Sequence, residues 1–381
     1  MQADLNQQYD VVVVGGGIVG LCIAWFLAEA DVGVVCIDYG ENKGSIANAG
    51  SLHVQMQSRL LRMFPERIPD YEKTQFIYPR AVEYWQEIAE RLNENIELKV
   101  SGGLMIADDM AQLDVLREKV ERERRCNIDT RLLSAEEVAE RAPYLNKQIR
   151  GASFCPLEGK VNPLLANAAI LRKVLAAGAT LRAETPVIGI ETVARGYQVR
   201  TESECFEVPR IVIAAGSGST ELAGMLGFNL PARAEPLHMN ITDAAEPFMQ
   251  HLIQHAARPI TMKQMQTGQL VIGGGWPAAP GEGRGAPQVV MDSLLGNLGL
   301  ASEIVPGIGN LRLIRSWAGI NPTVDLLSVI GQVESRPGVF VAVPGDAGYT
   351  LGPYCAQLLC DTLLGRQPEY ALDLFSPSRF D

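Results

Sequence analysis

Three glycines near the start of the chain have the spacing of a phosphate-binding turn. Gly15, Gly17 and Gly20 follow the pattern G-x-G-x-x-G, and Asp38 lies about 20 residues further on. In such a turn the first glycine permits a tight bend, and the second lets the backbone approach a pyrophosphate. The third lets a helix pack closely on a strand, while the acidic residue can accept hydrogen bonds from an adenosine ribose. These residues indicate the binding of a dinucleotide.

The stretches on either side of this turn predict the elements that would position it. Val11–Val14 is a β-branched run typical of a strand that is buried on both faces. Residues 18–30 predict an apolar helix, and residues 32–37 predict a second strand. The helix N-terminus would present N–H groups to the phosphates. Because an acidic residue at position 38 disfavours a 2′-phosphate, FAD or NAD is favoured over NADP. The alternative is a glycine-rich turn that binds no ligand.

Charge and composition exclude several other classes of protein. With 33 Lys and Arg against 44 Asp and Glu, the formal net charge is −11, which disfavours a nucleic-acid-binding protein. The seven cysteines lack metal-site or disulfide-framework spacing, so we expect no metal site and a reducing compartment. Residues 11–28 are uncharged over about the length of a membrane span, but three consecutive glycines interrupt them. We expect a cytoplasmic enzyme, which a partner could hold at the inner membrane.

The segment after Asp38 resembles one superfamily of flavoproteins. Residues 44–52, Gly-Ser-Ile-Ala-Asn-Ala-Gly-Ser-Leu, are similar to a stretch of the D-amino-acid oxidase-like FAD-dependent oxidoreductases, which include glycine and sarcosine oxidases. In that superfamily the stretch runs along the pyrophosphate and onto the flavin ring, so we call residues 44–52 the flavin segment. Other segments resemble the superfamily in the same order, namely 161–163, 185–187, 210–216, 317–325 and 339–352.

The resemblance implies FAD as the cofactor and suggests which residues bind it. The residues expected to contact FAD are Gly15, Gly17, Ile18, Val19, Gly20, Asp38, Tyr39, Gly44, Ser45, Asn48, Ala49, Gly50, Ser51, Leu52, Val187, Ala215, Gly216, Gly319, Gly345, Gly348, Tyr349, Thr350 and Gly352. Some oxidases of the superfamily attach FAD through a cysteine near the block that residues 317–325 resemble. This sequence has no cysteine between Cys205 and Cys355, so we expect non-covalent FAD.

Residues 49–59 resemble one branch of the superfamily most closely. That branch contains the β subunits of bacterial opine (octopine and nopaline) dehydrogenases, of dye-linked proline or hydroxyproline dehydrogenases and of hydrogen cyanide synthase. Its FAD subunit works with a second, larger subunit and an iron–sulfur centre. This sequence has no cysteine pattern for an iron–sulfur cluster, so we expect any such cluster to belong to the partner.

The expected fold is α/β, with two domains. We expect a discontinuous, Rossmann-like FAD-binding domain over residues 1–60, 151–230 and 313–381, and an α+β substrate-binding domain over residues 61–150 and 231–312. Alternating residues over 230–275 predict antiparallel strands for the sheet of the second domain.

The chemistry implied by the resemblance is hydride transfer to flavin N5 from the carbon that bears an amine. The superfamily places an arginine for the substrate carboxylate where this chain has Asn321, and Arg315 is the nearest replacement. His53 follows the flavin segment directly and could face the substrate, whereas Tyr349 could bond the substrate carboxylate. Each candidate has a structural alternative: a strand-edge charge for Arg315, a structural histidine for His53, and packing for Tyr349. No catalytic triad is expected, because the cofactor performs the difficult chemistry.

Two enzymatic functions are compatible with these residues. We favour the catalytic subunit of a dehydrogenase for opines, D-amino acids, proline-like or sarcosine-like compounds over a self-sufficient oxidase that makes hydrogen peroxide. Certain sarcosine oxidases use a lysine in the strand that residues 270–274 resemble, where this chain has Val271 and Ile272. His238 and Lys263 are weaker candidates in the substrate domain. An FAD-bearing subunit that is inactive alone is a third function, and an unliganded scaffold is a fourth.

Overall fold

The computed structural model describes residues 8–40, 44–282 and 285–381. The chain divides into two compact units. The first comprises the described residues within 1–46, 166–234 and 321–381, and the second comprises those within 47–165 and 235–320. Three ranges that we expected in the FAD-binding domain lie in the second unit, namely 47–60, 151–165 and 313–320, and residues 231–234, expected in the substrate-binding domain, lie in the first.

The β-strands of the described residues number from β1 to β20 in chain order. They are β1 Val11–Val14, β2 Val34–Ile37, β3 Ser51–Leu52, β4 Lys99–Val100, β5 Gly103–Ala107, β6 Arg131–Ser134, β7 Gly151–Cys155, β8 Gly159–Lys160, β9 Thr180–Arg182, β10 Val187–Val193, β11 Gly196–Thr201, β12 Cys205–Val208, β13 Arg210–Ile213, β14 Arg233–Ala244, β15 Leu252–His255, β16 Thr261–Gln264, β17 Gln269–Gly273, β18 Leu313–Thr323, β19 Val329–Gln332 and β20 Val339–Val343.

The α-helices of the described residues number from α1 to α10. They are α1 Ile18–Ala28, α2 Ser58–Met63, α3 Ile68–Glu72, α4 Ile77–Leu92, α5 Met110–Arg125, α6 Ala135–Arg141, α7 Pro163–Ala176, α8 Ser219–Met225, α9 Met291–Ile304 and α10 Gly348–Leu363. In the part of the chain that the structure describes, no helix combines the length and the apolar character that crossing a bilayer requires.

The first unit is built on a six-stranded sheet with the order β19-β20-β13-β1-β2-β9. Every neighbouring pair is parallel except β19 with β20. The predicted valine run forms β1 near the centre, and all four of its residues are buried, as expected for a strand covered on both faces. The expected Rossmann-like α/β architecture is therefore confirmed.

Helix α1 contains the second half of the uncharged stretch 11–28 and lies in the core of the first unit. All of its residues are buried, and it packs against α10. Gly352 on α10 permits this approach, because a Cβ there would lie 3.1 Å from Ile18 Cγ2. The helix ends at Ala28, two residues before the predicted end, and Asp31 then adopts a positive φ of 58°. The uncharged stretch therefore forms a strand, a turn and a core helix.

The second unit contains an eight-stranded sheet with the order β18-β14-β17-β16-β15-β5-β7-β6. The strands predicted within residues 230–275 form antiparallel pairs, whereas β15 and β5 are parallel. One face is apolar and carries the buried cross-strand neighbours Ile253, Met262 and Ile272. Because side chains alternate along a strand, Lys263 on β16 and Val271 on β17 lie on the opposite face, directly across from each other.

Candidate functional site

The turn between β1 and α1 requires glycine at its first position. Gly15 has a φ of +119°, which residues with a Cβ rarely adopt. A Cβ there would also lie 2.4 Å from the backbone oxygen of Ala214. The N–H of Gly15 donates to the backbone oxygen of Ile37 at 2.8 Å. The chain therefore makes the tight bend that the glycine spacing predicted.

The N-terminus of α1 fits a phosphate group. Gly17 is the N-cap and supplies no side-chain cap, and the first turn of the helix contains no acidic residue. A Cβ on Gly20 would lie 1.8 Å from the backbone oxygen of Gly15, so the helix packs directly against the turn. The N–H of Ile18 donates to Ser45 Oγ at 2.8 Å, which fixes Ser45, near the start of the flavin segment, at the helix N-terminus. N–H groups and the helix dipole favour an anion there.

Asp38 is held at the glycine turn. Its Oδ1 accepts a hydrogen bond from the N–H of Gly16 at 3.1 Å, and its own N–H donates to the backbone oxygen of Arg182 at 2.8 Å. A Cβ on Gly16 would lie 2.5 Å from Asp38 Cγ, so the carboxylate touches the turn. Tyr39, the next residue, is 41% exposed. This placement fits a carboxylate that binds a ribose hydroxyl.

The C-terminal glycines also belong to the first unit. Gly345 has a φ of +77° and begins a short turn, and α10 starts at Gly348. Thr350 is buried in the first turn of that helix. Asn321, at the position where an arginine was expected, donates from Nδ2 to Asp346 Oδ1 at 3.1 Å. The position expected to carry a cation therefore carries a neutral amide that binds a carboxylate.

Tyr349 lies in the core of the first unit. Its side chain is 3% exposed, and its hydroxyl accepts a hydrogen bond from Asn167 Nδ2 at 3.0 Å. Burial raises the pKa of the Tyr349 hydroxyl well above its usual value. Of the two roles considered for Tyr349, this environment favours packing.

The other predicted FAD contacts of the first unit lie near its sheet. Val187 begins β10, and Ala215 follows β13, and both pack against the apolar core of this unit. Gly216 has a φ of +57° and starts a short helical turn. Val19 is buried in α1, and Gly44 is a half-buried turn residue.

In the second unit, hydrogen bonds fix the middle of the flavin segment. Asn48 Oδ1 accepts from the N–H of Gly50 at 2.7 Å, and Trp317 Nε1 donates to the backbone oxygen of Ala47 at 2.8 Å. Gly50 has a φ of +73°, and a Cβ there would lie 2.1 Å from the backbone oxygen of Val161. The backbone of this stretch is therefore tightly determined.

The end of the flavin segment forms β3. Ser51 pairs with Lys160 of β8, and Leu52 pairs with Gly159. Leu52 is fully buried and Ser51 is 8% exposed. Of the remaining predicted contacts in this unit, Ala49 is half-buried and Gly319 is buried on β18.

A buried carboxylate holds the residues that follow β3. Glu158 Oε1 accepts hydrogen bonds from the N–H groups of Val54 at 2.9 Å and Gln55 at 3.1 Å, and Oε2 accepts from Gln55 Nε2 at 2.8 Å. His53 Nδ1 lies 3.8 Å from Oε1, and its side chain is 13% exposed. Burial raises the pKa of Glu158, but His53 and these hydrogen bonds outweigh burial and hold the pKa below its usual value.

A second buried charged cluster extends from Gln55. Lys119 Nζ donates to Gln55 Oε1 at 2.8 Å and to Glu123 Oε2 at 2.9 Å. Glu123 Oε1 accepts from the N–H of Met56 at 2.6 Å, and Ser153 Oγ donates to Gln55 Oε1 at 2.6 Å. Together with Glu158, these groups satisfy the backbone N–H groups of residues 54–56 and the side-chain amide of Gln55, as buried polar groups require.

Sequence reasoning missed Glu158, Lys119 and Glu123. Lys119 and Glu123 are four residues apart on α5 and form a buried pair, a spacing that is equally typical of exposed pairs on a solvated helix. Glu158 lies over 100 residues from Val54 and Gln55 in sequence. No local pattern marks it as a buried acceptor.

The other candidate cations have different environments. Lys263 is 1% exposed, and its Nζ donates to Ser51 Oγ at 2.7 Å. Arg315 lies on the exposed end of β18, with its guanidinium 5.9 Å from the centre of the Trp317 ring. His238 on β14 is 1% exposed. Lys263 is thus the cation that the structure places on the flavin segment.

Comparisons with known proteins give the family. The family described as FAD dependent oxidoreductase matches residues 10–362. The chain is 25% identical to the B subunit of opine oxidase from Rhizobium meliloti, over 98% of each chain. It is 24% identical to the beta subunit of sarcosine oxidase from Arthrobacter sp, over 91% of this chain and 86% of the relative.

A solved structure of a related oxidase has a similar fold. The crystal structure of glycine oxidase from Geobacillus kaustophilus matches with a TM-score of 0.85 and 25% identity, over 98% of this chain and 99% of that one. Across residues 8–40, 44–282 and 285–381, no group of three or more His, Cys, Asp or Glu side chains could hold a metal ion. From residue 10 to residue 362, this chain belongs to the family of FAD-dependent oxidoreductases.

Proposed function

We propose that this protein is the FAD-containing catalytic subunit of a dehydrogenase that oxidises a carboxylate-bearing amine or imino acid. The observation that carries the proposal is the likeness to the B subunit of opine oxidase over 98% of both chains, in a chain whose glycine turn and α1 N-terminus fit a dinucleotide. Opines, D-amino acids, proline-like and sarcosine-like compounds are the substrate class.

The cofactor would be held without a covalent bond. The N–H of Gly17 and the positive end of the α1 dipole would bind the pyrophosphate, and Asp38 would bind the ribose. Residues 48–52, at the end of the flavin segment, would contact the flavin ring. When bound, FAD accepts the hydride from the substrate carbon that bears the nitrogen.

The second unit offers groups that could orient the substrate. His53 follows the flavin segment and retains some exposure, and we propose that its imidazole exchanges a hydrogen bond or a proton with the substrate nitrogen. The ionised Glu158 beside His53 would keep the ring in one orientation. Arg315 is exposed and is our proposed partner for the substrate carboxylate.

The decisive assay is anaerobic bleaching of the flavin with a panel of opines, D-amino acids, both proline isomers and sarcosine. Bleaching by none of them would refute the proposed function. Replacing Arg315 with methionine should weaken carboxylate substrates by about 2–5 kcal/mol if binding buries the charge pair, while Arg312→Met, an exposed arginine three residues away, is the control. An unchanged affinity in Arg315→Met would remove this residue from the site.

A self-sufficient oxidase is the second candidate, favoured by the likeness to glycine oxidase. Residues 270–274 contain no lysine, which by sequence alone disfavours an oxidase. This argument is weakened because Lys263 lies across from Val271 on the same face of the sheet. The rates of peroxide formation and dye reduction by the purified chain separate the two candidates. Equal rates would establish the oxidase.

We also propose a larger partner subunit that carries an iron–sulfur centre. Support comes from two relatives whose names describe them as subunits, one of opine oxidase and one of sarcosine oxidase. We further propose a cytoplasmic location for the chain, with this partner holding it at the inner membrane. Full dye-linked activity of the chain alone would show that it is not merely an assembly subunit, and affinity purification from the native cell would test for the partner.

A further inference from the structure

Lys263 is a buried cation for which the described residues provide no buried anion. Its side chain is 1% exposed, and the hydrogen bond from Nζ to Ser51 Oγ is 2.7 Å long. Among the described residues, no carboxylate lies within ion-pair distance of this ammonium. Lys119, equally buried, has Glu123 Oε2 at 2.9 Å. Because a buried charge is costly unless it is paired, the position of Lys263 calls for a reason other than stability.

The charged group that acts on Lys263 has the same sign. Lys160 on β8 is also buried, and its Nζ donates to the backbone oxygen of Gln264. Burial and the charge of Lys160 lower the pKa of Lys263 to about 7. Burial and the neighbouring Lys99 lower the pKa of Lys160 to about 8, against the opposing effect of Glu97. Lys263 therefore changes its charge near neutral pH.

The partner of Lys263 is part of the flavin segment. Ser51 lies on β3, at the end of the stretch proposed to contact the ring. Reduction adds electrons to a flavin, so a nearby positive charge stabilises the reduced form and raises the reduction potential. Lys263 does not need to touch the ring for this effect, because the interaction of charges in a buried site extends over several ångströms.

We propose that Lys263 is a positioning residue that holds Ser51 and places a positive charge beside the flavin, raising its reduction potential. The proposal rests on the proposed contact between residues 48–52 and the flavin. It predicts one additional proton taken up on reduction across the neutral range. For a two-electron couple, uptake of one additional proton changes the ratio of reduced to oxidised flavin tenfold per pH unit. The corresponding change in reduction potential is about 30 mV per pH unit.

The test is a spectroelectrochemical titration of the FAD-loaded protein between pH 6 and pH 9. Lys263→Met should lower the ratio of reduced to oxidised flavin at least tenfold at pH 6, and the difference should shrink toward pH 9. Lys263→Arg keeps its charge at every pH, so its potential should stay high while the additional proton disappears.

Two results would overturn the proposal. One is a Lys263→Met protein whose potential and pH dependence equal those of the wild type. The other is a Lys263→Arg protein that keeps the wild-type pH dependence, and this result decides alone if the methionine variant does not fold. Because mediator dyes reduce the flavin here, a failure of the amine panel would refute the proposed function and leave this measurement intact.

Discussion

Replacing Glu158 with glutamine tests whether the buried carboxylate holds the segment that follows β3. Glutamine keeps one oxygen for the N–H groups of Val54 and Gln55, but its amide nitrogen would face Gln55 Nε2, which lies 2.8 Å from Oε2 in the wild type. Gln55 cannot turn its amide over without loss, because its oxygen accepts from Lys119 and Ser153. Losing one charged hydrogen bond and creating a donor–donor contact should cost about 2–4 kcal/mol.

The effect of this change should depend on pH in a defined direction. The pKa of Glu158 is held below its usual value, so its stabilising contribution is present above the unfolded-state pKa of about 4.3. That contribution is lost as the pH falls through the lower, folded-state pKa. The free-energy difference between wild type and Glu158→Gln should therefore be full at pH 7 and shrink in acid below about pH 4.

Urea unfolding followed by tryptophan fluorescence measures this difference, because Trp85, Trp276 and Trp317 all lie in the second unit. Glu303→Gln is the control: Glu303 is 58% exposed and pairs with Arg258, so its loss should change stability by less than about 1 kcal/mol. If Glu158→Gln were as stable as the control at pH 7, the assignment of Glu158 as a buried acceptor would be wrong.

Two further substitutions address the glycine turn and the buried lysines. Gly20→Ala should abolish FAD binding, because the Cβ would lie 1.8 Å from the backbone oxygen of Gly15. Gly224→Ala on α8 is the control, since its Cβ would meet no atom within 4 Å and the protein should keep FAD. The flavin absorbance of the two purified proteins measures the difference. Lys160→Met should raise the pH at which the additional proton in the flavin titration appears, because Lys160 lowers the pKa of Lys263; an unmoved midpoint would assign that proton elsewhere.

The first unit could be predicted from sequence because its decisive features are local. The bend at Gly15, the contact between Gly20 and the turn, and the approach of Asp38 all arise within residues 11–38. The valine run and the uncharged helix must both be buried, and a strand that is buried on both faces is typical of a parallel sheet covered by helices. The family resemblance added the flavin segment, whose Ser45 does meet the start of α1.

The polar contacts of the second unit could not be predicted in this way. Lys263 lies 212 residues from Ser51, and Glu158 lies 103 residues from Gln55. Such contacts depend on strand order and register, which a single sequence does not reveal. Residues 270–274 contain no lysine, but the register places Lys263 of the neighbouring strand β16 directly across from Val271.

The distribution of buried charge around residues 51–56 is unequal. Glu158 and Glu123 both accept hydrogen bonds from backbone N–H groups within residues 54–56. Lys119 pairs with Glu123, so the carboxylate of Glu158 leaves this end with a net negative charge. At Ser51, Lys263 donates to the side-chain oxygen and Lys160 is the neighbour across β3 and β8, and these two cations repel each other. Repulsion between these buried cations destabilises the folded chain. A ligand that gains negative charge on reduction would instead be stabilised at the Ser51 end, which is where the proposed flavin contacts lie.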